Sequence, residues 1–173
     1  FLEIFPKWHS NVVFNMVVIP SRDNIEKYKD MKKEIESTVG RINGKYSSLT
    51  WRPIIYQYKS LSFNELVALY DLSDVGLITP LRDGMNLVAK EYIACQIENK
   101  GVLILSEMAG AAAELNEALI INPVDNIEMA EAIFKALEMK TVEKHTRLER
   151  MQNRISSYNV FTWAFDFFTQ TFD

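Results

Sequence analysis

Short apolar runs alternate with amphipathic stretches along the chain. The apolar runs have the length of strands, are rich in Val, Ile and Leu, and lie at residues 12–19, 51–58, 74–79, 101–106 and 118–123. The stretches between them space their apolar side chains as helices do, at residues 24–39, 62–71, 85–96 and 126–139. Nearly continuous apolar strands indicate a parallel sheet covered on both faces, and their alternation with helices favours right-handed βαβ crossovers. The pattern therefore predicts an α/β fold with a doubly wound, Rossmann-like parallel sheet.

Local signals near the start of the chain predict where the first helices begin and end. Residues 1–5 have helical spacing, and Pro6 would close that helix because proline cannot continue the hydrogen bonds. Asp23 would cap the helix at residues 24–39. The segment GRING at residues 40–44 would end it, since Gly and Asn readily adopt left-handed backbone geometry.

The length and the tail complete the predicted organisation. A chain of 173 residues is long enough for one domain, which at this size buries roughly 70% of its unfolded surface. No linker or repeat divides it, so we expect a single domain over residues 1–173 with a helical tail at residues 140–173. The small-residue run at residues 109–113 is expected to begin a helix packed closely on the sheet.

Composition and charge argue against several classes of function. The net charge is −4 and no block of Lys or Arg stands out, which argues against a nucleic-acid surface. No apolar stretch approaches ~20 residues, so no membrane span is expected. Cys95 is the only cysteine, which permits no internal disulfide and fits a reducing cytoplasm. The two histidines, His9 and His145, are expected at the surface and do not have the spacing of metal ligands.

The stretch at residues 79–91 joins a predicted strand to a predicted helix through a polar loop. It lies at the carboxyl end of a parallel strand, where ligands of open α/β sheets bind. Gly84 can adopt φ > 0 and let the backbone approach a ligand, and residues 85–88 would carry the unpaired N–H groups of the first helical turn, which suit phosphate. The carboxylates of Asp83 and Glu91 would suit sugar hydroxyls. Such turns are common in α/β proteins, and most bind nothing.

Four segments of the chain resemble motifs of a known family. They read PLRDGMNLVAKE at residues 80–91, PSR at 20–22, GRINGKY at 40–46 and LSEMAGAAAEL at 105–115. In these segments, and in their order, the chain resembles the trehalose-6-phosphate synthases, which are retaining glycosyltransferases of family 20 with two Rossmann-like domains, the GT-B fold. The resemblance implies that this chain is the C-terminal, donor-binding half of a GT-B enzyme.

The resemblance also implies a reaction and a donor site. The family transfers glucose from UDP-glucose to glucose 6-phosphate, giving trehalose 6-phosphate and UDP, without a metal or other cofactor. Asp83 would be the catalytic residue and hold a glucose hydroxyl. The loop and the first helical turn would bind the donor, with backbone groups lining the sugar and facing the diphosphate, at Gly84, Met85, Asn86, Leu87 and Val88.

Three further residues receive roles from the same resemblance. Glu91 would accept hydrogen bonds from both ribose hydroxyls of UDP, and the backbone of Leu61 would contact the uracil. Arg22 would reach the phosphate of the acceptor. Arg82 and Lys90 are expected to be surface residues or structural ion pairs instead.

Departures from the family leave alternatives open. The chain starts without Met, and the N-terminal Rossmann domain and the Arg/Lys pair that grips the diphosphate are absent from it. We therefore expect a fragment that binds donor weakly, does not turn over, and has the N-terminal domain as its partner. A non-catalytic regulatory or nucleotide-sugar-binding module is one alternative, and a GT-B transferase with another acceptor is a second. Whether the protein forms a homo-oligomer is not decided by the sequence.

Overall fold

A computed structural model describes residues 1–20, 25–158 and 160–172 of the chain, with the backbone alone at 160, 163, 166 and 170–172. Its contacts divide it into two compact units, one comprising Leu2–Asn64 and the other Phe1 and Glu65–Asp173. The expected cap Asp23 lies outside the described residues. The single domain over residues 1–173 stays a prediction.

The smaller unit contains a two-stranded parallel sheet and a long helix. Strands β1 (Phe14–Val18) and β2 (Ile54–Tyr58) pair with Phe14 opposite Ile54, and helix α1 (Glu26–Tyr46) connects them. Every residue of β1 is half-buried or exposed. The expectation that this strand is covered on both faces is wrong for the described chain. The main other described elements of its unit are β2, α1 and a 3-10 helix of three residues, and they leave the strand partly exposed.

Two predicted boundaries in this unit are wrong. Residues 2–4 form turns, and Pro6 opens a 3-10 helix (Pro6–Trp8) where the sequence predicted the close of an α-helix. Helix α1 continues through residues 40–44 to Tyr46. There the side chain of Asn43 donates to the carbonyl of Ile54 and accepts from its N–H, both at 3.0 Å. These two hydrogen bonds join α1 to β2. Helix α1 continues through Gly40 and Gly44, although a glycine costs about 1 kcal/mol in a helix interior.

The larger unit carries the remaining strands and most of the helices. Its three strands, β3 (Val75–Ile78), β4 (Val102–Ser106) and β5 (Leu119–Ile121), are parallel in the order β3-β4-β5. All five predicted strands therefore exist, but their hydrogen bonds join them in two sheets. The α-helices after β2 are α2 (Phe63–Leu72), α3 (Leu87–Cys95), α4 (Asn126–Glu138), α5 (Thr141–Ser157) and α6 (Val160–Phe172). Among the described residues, no helix has both the length and the apolar character needed to cross a membrane.

The centre of the larger unit is β4, whose five residues are all buried. Leu103 and Leu105 belong to a core cluster that includes residues of α3 and α5. Val102 and Ile104 belong to a second cluster with residues of β5 and α4. Successive side chains of a strand point to opposite faces, so both faces of β4 are covered, as the apolar run predicted.

Tyr92 fixes α3 against the start of the sheet. Its ring lies so close to Gly76 that a Cβ there would be 2.8 Å from it, and its hydroxyl donates to the carbonyl of Ser73 at 3.2 Å. A Cβ on Gly101 would lie 2.2 Å from the same hydroxyl. Burial raises the pKa of Tyr92 well above its usual range. The two glycines therefore let the helix pack closely on β3 and on the segment before β4.

Two side-chain amides secure the other end of α3. Gln96 is fully buried, donates to the carbonyls of Tyr70 and Ser73, and accepts from the N–H of Gly101 at 2.9 Å. Gln152 on α5 donates to the carbonyls of Ile93 at 3.1 Å and Gln96 at 2.9 Å, which also accept longer bonds from the N–H groups of Gln96 and Asn99. Helix α3 is thus tied to the sheet and to α5, which fixes the direction of its N-terminus.

Candidate functional site

The polar loop at residues 79–86 follows β3 and ends at the first turn of α3, as the sequence predicted. Asn86 is the N-cap, and its side chain accepts from the N–H of Ala89 at 2.9 Å. Asn86 has φ 76°, in the left-handed region, whereas no glycine of the described chain has a positive φ. The expectation that Gly84 supplies this conformation is therefore wrong. The asparagine adopts it because its short polar side chain bonds locally, and it also caps the helix.

Asp83 organises the loop through both carboxylate oxygens. One oxygen accepts from the N–H of Met85 and the other from the side-chain amide of Asn86, each at 3.0 Å. Asp83 is half-buried, while Gly84 is exposed and a Cβ on it would meet nothing within 4 Å. Each carboxylate oxygen has a further lone pair, so Asp83 can still accept from a ligand while it holds the loop.

The start of α3 presents unpaired backbone donors. Met85 and Ala89 have their N–H groups capped by side chains. The N–H groups of Asn86, Leu87 and Val88, between them, donate to no other described residue. Leu87 and Val88 are exposed. Three adjacent free donors at the positive end of a nine-residue helix form a site suited to an anion.

Glu91 lies one turn further along α3 and is exposed. Its nearest described polar partner is Tyr70 on α2, whose hydroxyl oxygen is 3.5 Å from the carboxylate, at the outer limit of a hydrogen bond. Burial raises the pKa of Tyr70 to about 12, and the Glu91 carboxylate adds to the shift. The pKa of the half-buried Cys95 thiol, on the next turn, is raised by burial and then by Glu91 and Asp71. Glu91 is thus available to a ligand on its open side.

A second loop, after β4, holds the first one through the main chain. The N–H of Asp83 donates to the carbonyl of Met108 at 3.2 Å, and the N–H of Gly110 donates back to the carbonyl of Asp83 at 2.9 Å. The N–H of Ala111 donates to the carbonyl of Met85 at 2.7 Å. Sequence reasoning missed this contact and predicted a helix start at residues 109–113, where a 3-10 helix (Gly110–Ala113) lies. The signal available was the run of small residues itself.

The sequence also made predictions for four further residues, Leu61, Arg22, Lys90 and Arg82. Leu61 is half-buried and belongs to the unit Leu2–Asn64, whereas residues 83–91 belong to the other unit. Arg22 lies outside the described residues. Lys90 pairs with Glu114 at 2.8 Å, as expected of a structural ion pair, and Arg82 is exposed.

Neither histidine lies in the loop or in the first turn of α3. His145 is exposed as predicted. His9 is half-buried, packs against Tyr46 and Trp51, and bonds the carbonyl of Leu2 at 2.9 Å, so the expectation of a surface residue is wrong for it. In the part of the chain that the structure describes, no group of three or more His, Cys, Asp or Glu side chains is arranged to hold a metal ion.

Fold and site together define a class of protein. The larger unit is a parallel α/β unit in which the helix start at the carboxyl end of β3 has free N–H donors suited to an anion. The half-buried carboxylate of Asp83 lies before these donors in the chain, and the exposed carboxylate of Glu91 lies after them. Comparison with known proteins then gives the family. The sequence pattern of glycosyltransferase family 20 matches residues 1–172, and the chain belongs to that family.

Several relatives are similar over nearly the whole chain. A bifunctional trehalose-6-phosphate synthase/phosphatase of Thermoproteus tenax is 50% identical over 96% of this chain. The crystal structure of a UDP-forming α,α-trehalose-phosphate synthase from Burkholderia xenovorans, in complex with glucose-6-phosphate, is 44% identical over 98% of it, with a TM-score of 0.93. An E. coli structure described as trehalose-6-phosphate bound with UDP-2-fluoro glucose is 42% identical over 98% of this chain, also with a TM-score of 0.93. These likenesses confirm the predicted GT-B fold class.

The chain is much shorter than these relatives. It spans 23% of the length of the Thermoproteus protein, 37% of the Burkholderia chain and 38% of the E. coli chain.

Proposed function

We propose that the chain is the donor-binding part of a trehalose-6-phosphate synthase, which transfers glucose from UDP-glucose to glucose 6-phosphate. Its relatives include enzymes named for the UDP-forming reaction, a structure in complex with glucose-6-phosphate and one bound with UDP-2-fluoro glucose. The observation that carries the proposal is the row of unpaired N–H groups at Asn86, Leu87 and Val88, with Asp83 before it and Glu91 after it. Phosphate, sugar and ribose can each find a chemically suitable partner along this row.

The free donors would act on the leaving group. As the bond to glucose breaks, negative charge develops on the diphosphate, and preorganised N–H groups directed at that charge lower the barrier. The donors of Asn86 and Leu87 keep their positions because the cap and the Asp83 carboxylate fix the loop before any ligand arrives. An interaction with a helix terminus contributes about 0.3–1 kcal/mol when exposed, and more in a partly buried geometry.

The two carboxylates would recognise hydroxyl groups. Asp83, the residue we assign to catalysis, would accept from a glucose hydroxyl while keeping its loop contacts, with the backbones of Gly84 and Met85 along the sugar. Glu91 would accept from the ribose hydroxyls, which its exposed carboxylate and single long contact allow. A carboxylate accepts hydrogen bonds only and repels the diphosphate, so its place is beside hydroxyls.

The remaining roles depend on parts of the protein outside this site. We propose that the backbone of Leu61 contacts the uracil and that Arg22 binds the acceptor phosphate, as the family resemblance implies. The acceptor pocket would come from an N-terminal Rossmann domain, and the Arg/Lys pair that grips the diphosphate would come from the segment that precedes this region in the family. We propose no metal or cofactor beyond the two substrates, and a cytoplasmic location, in which the free Cys95 would stay reduced.

Titration of the chain with UDP and UDP-glucose, followed by backbone amide NMR shifts, tests the proposal without requiring turnover. We expect shifts at residues 83–91 and at the end of β3, with the largest at the three free N–H groups. A folded chain that shows no shifts at millimolar ligand would refute donor binding by this chain. Shifts with UDP-glucose but no transfer after the N-terminal domain is restored would favour a non-catalytic binding module.

A further inference from the structure

The contact between the two loops is made almost wholly by main-chain groups. Asp83 and Ala109 form an isolated parallel bridge, and three N–H···O=C hydrogen bonds connect residues 83–85 to residues 108–111. Asp83 both donates and accepts in this contact, so the residue whose side chain organises the site loop is also the one that its backbone anchors.

Gly110 is the residue that allows this contact. A Cβ on Gly110 would lie 2.1 Å from the carbonyl oxygen of Gly84, 2.8 Å from its carbonyl carbon and 3.3 Å from the Cα of Met85. These neighbours are backbone atoms, so no side-chain rotation can make room. Any residue larger than glycine at position 110 must push the site loop away from the second loop.

We propose that Gly110 is a positioning residue for the donor site: its missing side chain lets residues 108–111 serve as a template that holds residues 83–86 in the binding conformation. The role as a donor site rests on the function proposed above, whereas the template itself is a property of the two loops. Gly110 is exposed but contacts the backbone of Gly84 and Met85, which we place beside the sugar. Its effect on the ligand would therefore pass through the loop.

The first test needs no ligand. Hydrogen exchange in the full chain should show the amides of Asp83 and Ala111 protected, since both donate across the contact. In the Gly110→Ala variant they should exchange at least about fivefold faster, the equivalent of about one net hydrogen bond. The buried amides of β4 should exchange more slowly than these two in both chains, because they open only when the sheet unfolds. Gly40→Ala is the matched control, because a Cβ on Gly40 meets nothing within 4 Å.

Two results would overturn the template. One is unchanged exchange at Asp83 and Ala111 in the variant. The other is a larger fall in the opening free energy of β4 than in that of Asp83 and Ala111, which would make Gly110 a residue of the fold as a whole. If the variant does not fold, hydrogen exchange in the unaltered chain tests the proposal. The amides of Asp83 and Ala111 should open together in one event, so their opening free energies should stay equal as the urea concentration increases. Independent opening would refute the proposal.

The second test separates positioning from general destabilisation and from the proposed function. In Gly110→Ala the affinity for UDP-glucose should fall at least about fivefold more than the affinity for UDP, because the loop holds the sugar end of the donor. Equal losses for both ligands would overturn the positioning role. An unaltered chain that binds neither ligand but keeps the protection of Asp83 and Ala111 would refute the proposed function and leave the template supported.

Discussion

The left-handed conformation of Asn86 permits a prediction whose size follows from the structure. In Asn86→Ala the cap on Ala89 is lost, which costs about 1 kcal/mol. Alanine must also adopt φ 76°, where an L-residue without a local side-chain bond is about 1–2 kcal/mol less stable. The two effects sum to about 2–3 kcal/mol. In Asn86→Gly only the first matters, and glycine at a cap costs about a few tenths of a kcal/mol.

Hydrogen exchange of the β4 amides measures this difference, because those amides open only when the sheet that carries the site unfolds. We expect Asn86→Ala to lower their opening free energy by about 2 kcal/mol more than Asn86→Gly does. Both variants lose the contact with Asp83, so that contact cancels in the comparison. Equal effects of alanine and glycine would refute the argument that asparagine is present for its backbone conformation as well as for its cap.

The other predictions concern the two carboxylates and their surroundings. Glu91→Gln should weaken UDP binding by about 1–3 kcal/mol in a calorimetric titration, as expected for a lost charge-assisted hydrogen bond, and an unchanged affinity would remove Glu91 from the site. Asp83→Ala should weaken UDP-glucose binding more than UDP binding, and equal losses would contradict the sugar role. Tyr70 should keep its proton to about pH 12 in the folded chain, while an unfolded tyrosine ionises near pH 10. The stability that Tyr70 contributes is therefore complete below about pH 10 and is lost as the pH rises towards 12, so Tyr70→Phe should flatten the stability curve in that window. Glu91→Gln should lower the pKa of Tyr70 in an NMR titration, and no change would deny their proximity.

Strands and late helices were predictable because their signals are local. The helix expected at residues 126–139 is Asn126–Glu138, and its side-chain cap Asp125 directly precedes it. All five strands lie within their predicted runs, since short runs rich in Val, Ile and Leu favour strands. The family resemblance added the GT-B assignment, which the relatives confirm.

Features that depend on contacts distant in sequence could not be predicted in the same way. The glycines in residues 40–44 would stop an isolated helix, but the amide of Asn43 reaches Ile54 eleven residues later and joins that helix to the sheet. The left-handed residue of the site was expected at Gly84 because glycine is the usual choice, and Asn86 adopts it because the cap and Asp83 use its side chain. The docking of residues 83–85 on 108–111 depends on backbone groups, and its signal in the sequence is the run of small residues that includes Gly110.

The main-chain contact between the two loops also affects how this site can be altered. Its three hydrogen bonds use only peptide groups, so exchanging the side chains of exposed residues such as Met85 or Met108 leaves the bonding pattern itself intact. Inserting or deleting a residue in either loop would instead put the wrong peptide groups opposite each other. We therefore expect that substitutions can change the ligand preference of this site, whereas a change in the length of either loop would disrupt it.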